Sequence, residues 1–282
     1  MMFETRYCIA CFERKLQIMD LANSSIITAN DLANTPKRSR HPRARETLAR
    51  YYRQKGRLLS IRRGLYAVVP EGVDAKTFRV DPFLVTARLT PDAVLAYHTA
   101  LDFHGKAYST FNEFYALSKQ KARAFRFQSQ SFRVVNFPVA LVRDHAEEFS
   151  VQQIERAGLT VRVTPLERTF VDVLHRPDLA GGWEEVWRSL ESIEFLDVEK
   201  VVHYAKLLRS SRVCAAVGFY LEQHRETLMI EDASLDPLRK QRPKAPQYLD
   251  PGARRGGKLV SGWNLLVPTQ VLERSWEEPR AD

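Results

Sequence analysis

Cysteine is scarce in this chain: Cys8, Cys11 and Cys214 are the three among 282 residues. An odd number of cysteines is a poor basis for a disulfide framework. Cys8 and Cys11 have C-x-x-C spacing, but a structural zinc site needs two further ligands, and no second pair exists. We therefore expect two ordinary helix cysteines there, and a protein of the reducing cytoplasm with no metal and no cofactor.

Long apolar runs are also missing. No stretch approaches the roughly 18 apolar residues that cross a bilayer. The first fifteen residues contain Glu4 and Glu13 and no continuous apolar core, so we expect neither a signal peptide nor contact with a membrane. With 44% hydrophobic residues, the chain can form one large domain or two smaller ones, each with a core.

Motifs of several enzyme classes are missing as well. The glycine pairs at 181–182 and 256–257 lack the G-K-[ST] context of a phosphate-binding loop, and no nucleophile elbow occurs. The acid-x-lysine triplet Asp74-Ala75-Lys76 falls in a polar linker with no acid a strand earlier. We expect a protein that is not an enzyme, and a metal-dependent nuclease is the least favoured alternative.

Positive charge, in contrast, is concentrated in one place. Residues 36–63 contain eleven lysines and arginines against one acid, Glu46, which is a local balance of +10. The whole chain carries +9, so the remaining residues sum to −1. A charge excess confined to a tenth of the chain indicates a local anionic partner.

The elements predicted around this basic segment follow the order of a winged helix-turn-helix over residues 12–72. Thr28 is a candidate N-cap, Pro42 suits a first helical position, and Gly64 can adopt a positive φ in the turn of a hairpin. The predicted elements are a helix over 12–22, a short helix over 29–33, a basic helix from Pro42 to about Lys55 that stops at Gly56, and the strands RLLSI and LYAVV.

Residues 80–282 are predicted to form a second domain with a mixed or antiparallel sheet and helices, after a polar linker over 71–80. The whole chain is thus predicted to be α+β. Thr90-Pro91 and Thr164-Pro165 each provide an N-cap, a proline at the first helical position and an acid soon after, so both predict helix starts, with the first helix ending at Gly105. The other predicted elements are strands in NEFYALS, SFRVVNF, VALVRD and LTVRVT, helices over 183–193, 198–208 and 211–224, an irregular basic segment over 230–258, and a last strand in KLVSGWNLLVP.

The basic helix has two distinct faces when it is stepped at 100° per residue. Ala44, Leu48 and Tyr51 form a narrow apolar face. A neighbouring face carries the side chains predicted to contact base edges, since arginine suits guanine and glutamine suits adenine: Arg43, Thr47, Arg50 and Gln54.

Other basic residues are predicted to contact phosphates or to flank the reading face. Lys37, Arg38 and Arg40 precede the helix, and Arg62 and Arg63 occupy the tip of the predicted wing. Arg53 completes the set of candidate DNA-binding residues.

Two other interpretations of the basic segment stay open. It can be a solvated surface of an ordinary helix, or it can bind RNA. Duplex DNA is favoured because three features coincide: the charge excess, the order of the elements and the basic wing tip. The sequence also shows no aromatic-rich sheet motif of the kind that stacks single-stranded bases.

The same segments resemble AbiEi-type antitoxins and related transcriptional regulators of type IV abortive-infection toxin–antitoxin systems. The resemblance covers about residues 28–224 and rests on the order of four motifs: ITANDLA, GRLLSIRRGLYAVVP, VTARLTPDAVLAYHTALDFHG and TPLERTFVDVLHRPDLAGGWEEVWRSL. It implies that the N-terminal domain binds inverted repeats in the promoter DNA of its own operon and represses it. It also implies that the C-terminal domain counteracts a nucleotidyltransferase toxin without a stable complex, and we expect a monomer or weak dimer on DNA.

The chain departs from this family's pattern in two places. Residues 34–45 are longer and more basic than expected, and the tail after Glu226 has no counterpart. Some relatives with this architecture act as regulators only. A DNA-binding regulator without antitoxin activity is therefore the main alternative.

Overall fold

The computed structural model describes residues 25–31, 42–250 and 257–274. They form a mixed α+β structure with three sheets and several helices. The α-helices of these residues are α1 (Pro42–Gln54), α2 (Pro82–Ala87), α3 (His98–Phe103), α4 (Val139–Arg143), α5 (Leu166–His175), α6 (Trp183–Glu191), α7 (Val198–Leu207), α8 (Ser211–Gln223), α9 (Asp236–Arg239) and α10 (Thr269–Leu272).

The strands are mostly short. They are β1 (Ile26–Thr28), β2 (Leu58–Arg62), β3 (Leu65–Val68), β4 (Val94–Leu95), β5 (Glu113–Ser118), β6 (Phe125–Phe127), β7 (Gln130–Asn136), β8 (Gln152–Arg156), β9 (Leu159–Val163), β10 (Gln247–Tyr248), β11 (Lys258–Val260) and β12 (Leu265–Val267). Two 3₁₀ turns cover Pro177–Leu179 and Asp232–Leu235.

The N-terminal elements form a small antiparallel sheet in the order β1-β3-β2, with α1 packed on it. The predicted basic helix and hairpin are confirmed: α1 is followed by Gly56 at φ +69°, and the β2–β3 turn has Gly64 at φ +79°. Strand β1 was not predicted. The predicted helix over 12–22 lies outside the described residues, as does the end of the one over 29–33.

The predicted cap at Thr28 is present. The Thr28 Oγ1 accepts a hydrogen bond from the Asp31 amide at 3.3 Å, and the Asp31 carboxylate accepts one from the Thr28 amide at 2.7 Å. This reciprocal pair has the hydrogen-bond pattern of a capping box, and residues 29–30 form a turn. The chain therefore turns sharply out of β1 at this point.

The small sheet shares a hydrophobic core with the rest of the chain. Ile61 and Leu65 belong to one buried cluster with Leu84 of α2 and Leu95 of β4. The polar linker predicted over 71–80 is indeed a run of turns, but Val80 at its end is buried in the same cluster. The N-terminal elements are thus packed against α2 and β4 through a shared core and are not a separate unit joined only by a linker.

A six-stranded mixed sheet forms the centre of the chain, in the order β6-β7-β5-β4-β9-β8. The β5–β7 and β4–β9 pairs are parallel and the other pairs are antiparallel. The mixed sheet predicted for the second domain is therefore confirmed. Helix α2 packs on β5 and β9, and α3 contacts both β5 and the helical layer at α5.

One of the two predicted Thr-Pro helix starts is wrong. Residues 90–105 were predicted as one helix, but Val94 and Leu95 form β4, which lies between β5 and β9. The Asp92 carboxylate does not cap a helix: it accepts hydrogen bonds from the Ser118 hydroxyl at 2.6 Å and the Lys119 amide at 2.8 Å. Pairing within the sheet overrides the local helix-start signal, and the helix is reduced to α3.

The second helix start is nearly right. Helix α5 begins at Leu166, and Pro165 is at its N-cap position. Thr164 does not cap it, because its Oγ1 lies 2.7 Å from the Thr169 hydroxyl and 3.3 Å from the Leu95 carbonyl. The helix ends at His175, two residues before Pro177.

Three further predictions are corrected. The VALVRD run is helix α4 and not a strand. KLVSGWNLLVP is the β11–β12 hairpin and not a single strand. The segment over 230–258 is not irregular throughout, since it includes α9 and buries Leu235, Leu238 and Leu249 in the helical core. The three helices predicted over 183–224 are confirmed as α6, α7 and α8.

Candidate nucleic-acid interface

Helix α1 meets the small sheet through Ala49 and Tyr52, which are buried against Ile27 and Leu58. We predicted Ala44, Leu48 and Tyr51 as the apolar face. Leu48 and Tyr51 are only partly buried at the edge of this cluster, and the side chain of Ala44 lies outside the described residues. The buried face is displaced toward Ala49 because the unpredicted strand β1 adds Ile27 to the surface that receives the helix.

The opposite face of α1 carries three of the four residues predicted to contact bases, together with Arg53, and these four side chains are exposed. They fall within about 120° when α1 is stepped at 100° per residue: Thr47, Arg50, Arg53 and Gln54. Neither Arg50 nor Arg53 forms an ion pair with an acid of the described residues. Both guanidinium groups are therefore available to an anion from outside.

The β2–β3 hairpin presents Arg63 at its turn. Its side chain is exposed, and Gly64 next to it keeps the turn tight with its positive φ. The Gly64 carbonyl accepts a hydrogen bond of 2.8 Å from the Ala29 amide, which holds the tip against the end of β1. Arg63 thus projects from a fixed turn.

Arg62 has a different role from the one we predicted. Its Nη2 donates a hydrogen bond of 2.5 Å to the Leu89 carbonyl, and its guanidinium lies 5.2 Å from the centre of the Phe125 ring. Burial lowers its pKa. Because this guanidinium is used inside the protein, we correct its assignment from a phosphate contact to a link between the small sheet and the six-stranded sheet.

Four of the predicted contacts cannot be located. Lys37, Arg38 and Arg40 lie outside the described residues. Arg43 is in α1, but its side chain lies outside them as well. The described part of the predicted site is therefore Thr47, Arg50, Arg53 and Gln54 on α1 with Arg63 on the hairpin.

A groove of about 720 Å³ runs beside the hairpin tip, between the small sheet and the six-stranded sheet. Arg63 lines one wall, and Arg88 and Arg162 line the other. The Arg162 guanidinium donates to Glu148 and to the Asp92 carbonyl, whereas Arg88 has no ion pair with a described acid. Neither Arg88 nor Arg162 was predicted as part of the site, because no local sequence signal links them to the distant hairpin.

The TPLERT run over 164–169, part of one motif of the family resemblance, has a structural role, with Thr164, Arg168 and Thr169 buried. Arg168 Nη1 donates hydrogen bonds of 2.8 Å to the Glu147 and Phe149 carbonyls, and its Nε lies 3.6 Å from an oxygen of Asp172. The Tyr204 hydroxyl donates to the other Asp172 oxygen at 2.6 Å. Burial raises the pKa of Asp172 to about 6, against the opposing effect of Arg168. The TPLERT run joins α5, α7 and the loop before β8.

Comparisons with known proteins show the fold. The crystal structure of the RV2827C protein from Mycobacterium tuberculosis is similar to this chain, with a TM-score of 0.59 over 94% of each chain at 17% identity. No family model and no curated protein matches the sequence. At this identity the likeness shows a shared architecture over nearly the whole length, and says nothing of activity.

The other candidate sites offer little chemistry. Asp74 and Lys76 lie in an exposed turn, where the Asp74 carboxylate accepts a hydrogen bond from the Lys76 amide at 3.0 Å. Within the described ranges, no three His, Cys, Asp or Glu side chains are grouped to hold a metal ion. No helix there is long and apolar enough to cross a membrane. Cys8 and Cys11 lie outside the described residues, and Cys214 is buried.

The two neighbouring arginines of the hairpin provide a first prediction. Arg62→Ala removes a hydrogen bond to a carbonyl and a cation–π contact, so the free energy of unfolding should fall by about 1–3 kcal/mol. Arg63→Ala, at an exposed position, should change it by less than about 0.5 kcal/mol. Urea unfolding followed by circular dichroism measures both. Equal stability of the two variants would show that Arg62 does not link the sheets.

Proposed function

We propose that this protein is a sequence-specific regulator of transcription that binds duplex DNA. The observations that support it best are the exposed face of α1 and the exposed Arg63 at the hairpin turn. This face carries hydrogen-bond donors, and both elements are anchored in a shared core. A helix of this kind fits the major groove, and an arginine at a hairpin tip suits the adjacent backbone or minor groove.

The finer proposal is a winged helix-turn-helix with α1 as its recognition helix and β2–β3 as its wing. Arg50 and Gln54 are one turn apart on the exposed face, so together they can reach successive base edges. Arg53 on the same helix and Arg63 at the hairpin turn supply phosphate contacts, which position the helix and dominate affinity. Lys37, Arg38, Arg40 and Arg43 add positive charge to the sequence before and at the start of α1.

The resemblance to AbiEi-type regulators extends this proposal to the target and the physiological role. The protein would bind inverted repeats in the promoter of its own operon, repress it, and counteract a nucleotidyltransferase toxin. The antitoxin activity would belong to the elements after Asp81, which include the TPLERT run around the buried Arg168. A regulator without antitoxin activity is the alternative, because only the resemblance supports the toxin partner.

The DNA-binding proposal is tested by fluorescence anisotropy with the DNA upstream of the protein's own reading frame and a scrambled duplex. Arg63→Glu should weaken binding to both duplexes. It should also lower the slope of log K against log salt by about 0.9 for each phosphate that the variant no longer neutralises. Arg50→Ala should reduce the preference for the upstream duplex, by about 1–3 kcal/mol of discrimination.

Lys244→Glu is the matched control, since Lys244 is exposed on the segment after α9. It makes the same change in net charge in the helical part of the chain, outside α1 and the hairpin. If Arg63→Glu and Arg50→Ala bind like this control, the proposed interface is wrong.

The antitoxin extension needs a separate experiment, in which a neighbouring nucleotidyltransferase gene is expressed from an independent promoter. The full chain should restore growth, and so should the Arg50→Ala/Arg63→Glu variant, because the two activities are assigned to different elements. A deletion of residues 1–75 is unsuitable, since it removes Ile61 and Leu65 from the shared core. Absence of rescue by the unmodified chain favours the regulator alternative.

A further inference from the structure

We propose that the helical part of the chain contains a second anion site, which binds a soluble ligand carrying two or more linked phosphates. The site is a basic cleft of about 790 Å³ between the end of α7, the start of α8 and the segment after α9. Its cationic lining residues are Lys206, Arg209, Lys240, Arg242 and Lys244. The proposal does not depend on DNA binding by α1.

Most of the positive charge in the basic cleft is unpaired. Asp144 is the one acid among the described lining residues, and Arg209 neutralises it through two hydrogen bonds of 2.8 and 2.9 Å. Lys206, Lys240 and Lys244 are exposed and have no ion pair with an acid of the described residues. Three like charges around one concavity repel one another, and a bound anion relieves this repulsion.

The backbone adds to the attraction for anions. Ser211, the first residue of α8, lines the basic cleft, and α8 has thirteen residues. The amides of the first turn carry partial positive charge along the helix axis. The Ser210 side chain accepts a hydrogen bond from the Val213 amide at 3.3 Å, which fixes the start of α8. Lysines and a helix N-terminus thus converge on one space.

The dimensions of the basic cleft favour a small ligand over a nucleic acid strand. Small-molecule sites enclose about 300–1,000 Å³, and this cleft lies in that range. Grooves that bind single strands stack bases on aromatic side chains. Phe, Tyr and Trp are absent from the described residues that line this cleft. The lining therefore recognises a phosphate chain, with Arg242 held in place by its hydrogen bond of 2.7 Å to the Gly262 carbonyl.

Isothermal titration calorimetry of the full chain with sodium tripolyphosphate and with ATP tests this proposal. The buffer contains about 0.15 M salt, because exposed charges more than about 8 Å apart are then largely screened. Both should bind saturably with one site, since the phosphate chain is the recognised group. Lys240→Glu/Lys244→Glu should weaken both at least tenfold, and Lys240→Gln/Lys244→Gln should weaken them less. The affinity for the upstream duplex should stay within twofold, because the cleft is separate from α1.

The matched control is Lys121→Glu/Arg123→Glu, which makes the same change of charge at two exposed positions outside the cleft. It should leave tripolyphosphate binding unchanged. The proposal is overturned if neither probe binds saturably, or if the control weakens binding as much as Lys240→Glu/Lys244→Glu does. It is also overturned if a single-stranded oligonucleotide binds this cleft while tripolyphosphate does not.

Discussion

The burial of the small N-terminal sheet against the central sheet is the constraint on which the rest of the arrangement depends. Ile61 and Leu65 enter the same hydrophobic cluster as Leu84 and Leu95, and each such side chain contributes about 1.5–3 kcal/mol when it is fully buried. This burial fixes the hairpin, and through Ala49 and Tyr52 it fixes α1. A basic helix on a fixed frame presents its charges at set distances, as recognition of a regular duplex requires.

Four of the described arginines show two different physical roles. Arg62 and Arg168 are buried or half-buried and donate to backbone carbonyls, so they hold elements together. Arg50 and Arg63 are exposed, and no described acid pairs with them. Charge count alone does not separate the groups. The groups are separated by what each guanidinium contacts. Only the exposed arginines are therefore included in the proposed DNA interface.

The elements that local signals encode were predictable from the sequence, and those set by distant pairing were not. Pro42, Gly56 and Gly64 delimit α1 and the hairpin through their own backbone preferences. Strand β4 carries a helix-start signal that its two neighbouring strands override. Sites follow the same rule. The exposed face of α1 could be predicted from its helical periodicity. The basic cleft could not, because only the tertiary fold brings Lys206 close to Lys240 and Lys244.

The central claim is that α1 and the hairpin tip contact duplex DNA as one rigid surface. Hydrogen–deuterium exchange of the full chain, with and without the DNA upstream of its own reading frame, tests this most directly. We expect amide exchange to be slower with DNA than without it in both residues 46–54 and residues 62–65. Exchange in residues 240–247 of the basic cleft should not change. Unchanged exchange in α1 and the hairpin, with the duplex bound, would contradict it.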